Sequence, residues 1–64
     1  MGYAGVSSVA AGLRFRTRSG VAVRTTGHTV YLPSRDIYVH EVEVVEGPGQ
    51  GNRFLHNLDY AQPL

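Results

Sequence analysis

The chain has 64 residues, no cysteine, and a net charge of +1 from six arginines set against five carboxylates. That length makes one domain, whose folding hides only about 60% of the surface an unfolded chain exposes, and the missing thiols exclude disulfides and thiolate-bound metals as extra support. A total so near neutral does not by itself select a polyanionic partner, so any role for charge must come from clustering.

All six basic residues are arginine, whose flat five-donor head suits bidentate contacts. The opening residues lack the basic flank and apolar run of a signal peptide. Val6 stands where a myristoylation motif needs serine or threonine, and no apolar stretch is long enough to span a bilayer. These features predict an intracellular protein, cytoplasmic or within an assembly such as a phage particle, with no membrane partner.

Residues 1–12 are small and uncharged. Ser7 can cap one turn carrying Val9 and Ala10, which Gly12 ends. The segment reads as an arm, flexible or packed on a partner, ahead of a single β domain over 13–64.

From Leu13 to Arg18 the chain alternates strictly, with Leu13, Phe15 and Thr17 on one side and Arg14, Arg16 and Arg18 on the other. Val21–Thr26 is a second strand. A two-residue Ser19-Gly20 loop would set Arg16 opposite Val23. A three-residue Arg18-Ser19-Gly20 loop instead pairs Phe15 with Val23 and Thr17 with Val21, and it gives glycine the left-handed position such loops need. The longer loop keeps the apolar face whole and places Arg14 opposite Arg24, with Arg16 beside them.

Gly27-His28 reads as the next turn, Thr29–Leu32 as a short third strand ended by Pro33, and Ser34-Arg35-Asp36 as a tight polar turn. Ile37–Glu46 is the longest strand-like run, rich in β-branched residues and closed by Gly47-Pro48-Gly49-Gln50-Gly51. Its apolar residues change phase: Ile37 and Val39 share one side, Val42 and Val44 the other. A bulge near His40-Glu41 would gather all four on the core side and let the strand serve both halves of a small barrel. Arg53–Leu58 is a fifth strand, with Phe54 and Leu58 as core candidates, and Asn57–Tyr60 can form a 3₁₀ turn. The fold class expected is mainly β: a small five-stranded antiparallel barrel of SH3-like type, or a strongly bent sheet.

Val42-x-Val44-x-x-Gly47-Pro48-x-x-Gly51 resembles the start of a KOW motif, which occurs in SH3-like barrels of ribosomal proteins and transcription elongation factors. Phe54 stands where that motif carries a further glycine. The resemblance implies a barrel that binds RNA or protein through its loops.

Two kinds of function follow. One is association with a protein partner or a second copy, as a homodimer, through a sheet edge and the loops. The other is RNA or DNA binding on an arginine face of Arg14, Arg16 and Arg24, with Tyr31 and Tyr38 to stack on bases. The glycine-rich loop adds Gln50, Asn52 and Arg53 as further polar contacts. His28, His40 and His56 show no metal-ligand spacing and read as surface or edge residues. No nucleophile elbow or paired-carboxylate signature is present, so the reading is of a non-enzyme with no catalytic residue, cofactor, metal or small-molecule substrate.

Overall fold

The computed structural model describes residues 2–64. Among them lie five strands of a single antiparallel sheet: β1 (Arg14–Arg16), β2 (Ala22–Leu32), β3 (Ile37–Val44), β4 (Arg53–His56) and β5 (Gln62–Pro63). The spatial order is β4-β3-β2-β1-β5, so the sheet is bent but not closed, with β4 and β5 as its two edges. Two 3₁₀ turns, Tyr3–Gly5 and Leu58–Tyr60, flank the strands.

The first hairpin has the three-residue loop. Phe15 faces Val23 and Arg14 faces Arg24, and the Thr17 N–H donates to the Val21 carbonyl at 2.9 Å. Gly20 takes φ +89°, a region in which a side chain would clash with its own backbone. Phe15 is consequently only 1% exposed and packs with Val23, Val42, Val44 and Leu58 into the core.

The expected second and third strands are one. Gly27-His28 is no turn but part of β2, where Gly27 at φ +92° lets the chain kink and continue. Between the Thr25–Val42 and Thr29–His40 pairs, three residues of β2 face the single residue Glu41 of β3. The bend therefore lies where the phase change placed it, at Glu41, but the extra residues belong to the facing strand. The Thr26 hydroxyl donates to the Glu41 carboxylate at 2.6 Å and fixes the kink. Because β3 itself stays regular, its apolar residues are not gathered on one side: Val42 and Val44 face the core, whereas Ile37 and Val39 keep the opposite parity.

The described part of the arm, residues 2–12, packs on its own sheet. The turn forms at Tyr3–Gly5 rather than at Ser7. The Tyr3 ring meets Phe15 edge-on at 5.4 Å, and the Asp59 carboxylate accepts hydrogen bonds from the backbone N–H groups of Tyr3 and Ala4. Further on, the Gly12 N–H donates to the Thr25 carbonyl at 2.8 Å. Near the other end, Leu58 is buried beneath a turn that the Asn57 side chain caps, accepting from the Asp59 N–H at 3.0 Å. The last strand is Gln62–Pro63, laid against β1.

Candidate functional site

Cross-strand pairing builds a charged row on the outer face. Arg14 faces Arg24, Arg24 faces Glu43, and Glu43 faces Arg53. The four side chains share one side because their strand neighbours Phe15, Val23, Val42 and Val44 are buried on the other. Glu43 lies 3.5 Å from Arg24 and 3.4 Å from Arg53, so one carboxylate serves two guanidinium groups. Arg16 stands one row away, 3.8 Å from Glu46, and donates to the Gly20 carbonyl at 2.9 Å. Arg18 leaves the row to lie over the Tyr60 ring, 5.8 Å from its centre. No carboxylate of the described residues lies within ion-pair distance of Arg14. Each of these exposed pairs contributes only about 0–1 kcal/mol.

Tyr31 and Tyr38 do form a pair, with rings 5.1 Å apart, but on the other side of the sheet from the arginines. Tyr38 has the parity of His40, which points inward, whereas Glu43 and its arginines have the opposite parity. Arginines and tyrosines thus do not make one face. The Tyr31 hydroxyl donates to Asp36 at 2.5 Å, and that bond to a carboxylate holds the Tyr31 phenol above its usual value. Gln50 and Asn52 are exposed on the glycine-rich loop. There the Gln50 N–H donates to the Gly47 carbonyl and the Asn52 N–H to the Gly49 carbonyl, while the Gly51 N–H donates to the Val44 carbonyl of β3.

Of the three histidines, His28 is exposed and His56 lies on the edge strand β4, as expected, and His40 departs from expectation. His40 is fully buried. Its Nε2 lies 3.1 Å from the Tyr3 carbonyl, which only accepts, so that nitrogen carries hydrogen; Nδ1 lies 2.8 Å from the Thr29 hydroxyl. His40 thereby ties the first 3₁₀ turn to the sheet. His56 sits directly across from it on β4, and its Nε2 is buried without a hydrogen-bond partner. Burial pushes the His56 imidazole below its usual value. Among the described residues, no three histidines or carboxylates converge as a metal site, and no helix is long and apolar enough to cross a membrane.

The surface that strand reading missed is the edge beside His56. Val44 N–H donates to the Asn52 carbonyl at 2.8 Å, which makes that a hydrogen-bonded pair. Alternation along the antiparallel ladder then puts Phe54 and His56 in bonded pairs with Val42 and His40, and turns the N–H and C=O of Arg53 and Leu55 away from the sheet. Both apolar residues of this edge are open: Phe54, expected in the core, is 38% exposed, and Leu55 is 45% exposed. On the inner side, Phe54 and His56 join Thr17, Val21, Val44 and Pro48 around a half-open, mainly apolar cleft of about 280 Å³. Only the run Arg53–His56 with no carboxylate and no proline hints at such an edge in the sequence. Compared with protein-family models, curated proteins and solved structures, the chain gives no significant match.

Proposed function

We propose that the chain is a small non-catalytic interaction module of SH3-like build that associates through the open edge of β4 and the loops beside it. Support for the build comes from the path of the chain. One long kinked strand, β2, pairs along its length with β3, and a 3₁₀ turn leads into a last strand that returns to β1. β3 and β4 form a hairpin joined by the glycine-rich loop.

The observation that carries the functional reading is the β4 edge itself. It offers free backbone groups at Arg53 and Leu55 and two half-exposed apolar side chains, the ready template for another strand. The arginine row gives less support to nucleic-acid binding. Glu43 already draws Arg24 and Arg53, Glu46 draws Arg16 beside them, and the tyrosines lie across the sheet from the row.

The test is a selection of random peptides displayed on phage against the native chain, with sedimentation at several concentrations beside it. Enriched peptides or self-association, either of them lost in Leu55→Pro, support the module. A strict monomer that enriches no peptide overturns it.

A further inference from the structure

We propose that the β4 edge takes an extended segment of another protein in which acidic and apolar residues alternate. The inference rests on the edge reading and adds the chemistry of the partner.

An added strand presents its side chains alternately to the two faces that β4 already separates. On the outer face its neighbours are Arg53 and Leu55; behind Arg53 lie Glu43 and then Arg24, and behind Leu55 lies Glu41, whose carboxylate accepts from the Thr26 hydroxyl. Two guanidinium groups share the Glu43 carboxylate, so the Arg53 row carries excess positive charge at the edge, and a carboxylate facing Arg53 on the incoming strand completes the pairing. On the inner face its neighbours are Phe54 and His56, at the mouth of the apolar cleft that Val44, Val21 and Pro48 continue. An uncharged aliphatic side chain suits that side.

A second copy of this chain is the poorer occupant. Its own β4 reads Arg53-Phe54-Leu55-His56 and brings no carboxylate to Arg53. An antiparallel pair centred on Arg53 would even set like charges opposite each other, which is destabilising.

The experiment titrates the full chain with three ten-residue peptides followed by amide and imidazole NMR shifts. One alternates glutamate with valine, one alternates lysine with valine, and one carries the glutamates and valines in two blocks. The expected result is binding of the first, with shifts at Arg53, Leu55 and the His56 ring, and about tenfold weaker binding of the other two. Arg53→Glu, an exposed change, should invert the preference between the glutamate and lysine peptides.

If the two alternating peptides bind equally and Leu55→Pro abolishes both, the edge stands and the acidic preference falls. If peptides bind with shifts elsewhere and Leu55→Pro is without effect, the edge reading itself falls. If no peptide binds while the protein self-associates through β4, the occupant is a second copy and the proposal is overturned. If no peptide binds and the protein stays monomeric, both readings fall.

Discussion

β5 and β4 close the same sheet, yet they meet solvent differently. On β5 the Leu64 N–H donates to the Arg14 carbonyl at 3.0 Å, so the Arg16–Gln62 pair is also a bonded one, and Pro63, opposite Phe15, falls at the outward-facing position. Proline has no N–H to offer, so the one residue that could recruit a strand there cannot donate. On β4 the outward positions are Arg53 and Leu55, which keep both backbone groups. The difference shows that protecting an edge takes one residue at the right parity, and that this chain has spent that device on one side alone.

If β4 and β5 are edges of one cooperative sheet, removing the core side chain beneath it should loosen both together. Phe15 is fully buried, pairs with Pro63 and packs on Tyr3. Phe15→Ala should lower stability by about 3–5 kcal/mol, most of what a domain this small commands. Urea unfolding gives the number, and amide exchange gives the distribution. Protection in β4 and β5 should fall together. If β4 kept its protection, the two edges would belong to separately stable halves.

Proline scanning sharpens the contrast with a smaller effect. Phe54→Pro removes a donor that the ladder uses and should cost about 1–3 kcal/mol. Leu55→Pro removes a donor that points to solvent and should cost less than about 1 kcal/mol. The converse change, Pro63→Val, restores an outward N–H on β5 and should make that edge associate, which sedimentation reads directly. Equal melting temperatures for Phe54→Pro and Leu55→Pro would mean the parity assigned to β4 is wrong.

Parity is also where the sequence was most and least legible. Strict alternation in Leu13–Arg18 specifies one hairpin register, because the other would bury Arg16, and both the register and the burial of Phe15 follow from it. The phase change in Ile37–Val44 marks a bend at the right height in the sheet. It does not reveal which strand carries the extra residues, since a lone Gly27 can end a strand or kink one. Of the candidate site, Arg14, Arg24 and Arg53 fall into one row because each is set by alternation within its own strand. Tyr38 points inward by the plain alternation of a regular β3, whereas a bulge near His40-Glu41 would have turned it to the arginine side, and the two extra residues of β2 leave Tyr31 opposite it. The buried His40 was not foreseeable: its partners are a hydroxyl on another strand and a carbonyl 37 residues away.

A smaller effect tests how β5 is held in place. Asp59 lies in the turn that leads into β5 and accepts from Tyr3 and Ala4 of the first turn. Asp59→Ala removes an exposed acceptor of the capping kind and should cost about 1 kcal/mol. Faster amide exchange at Tyr3 and Ala4 should accompany it, with β4 unchanged. A loss confined to β4 would show that the first turn supports the open edge and not the closed one.

The smallest effect concerns pH and separates the two edges again, since β4 carries a histidine and β5 does not. Burial lowers the His56 imidazole from 6.5, so the unfolded chain takes up a proton at a pH where the folded chain does not. Stability from this group is fully present above about 6.5 and is lost as pH falls toward the lowered folded value, because there the unfolded state binds more protons. The residue is partly solvated, which keeps the effect modest. Denaturant midpoints measured between pH 8 and pH 5 should decline below 6.5 in the native chain and decline less in His56→Asn. The midpoint is the right reading because the substitution also changes the neutral-pH baseline, and only the slope with pH reports the proton. An unchanged slope would mean that His56 remains solvated when folded, and that the cleft beside the open edge admits water.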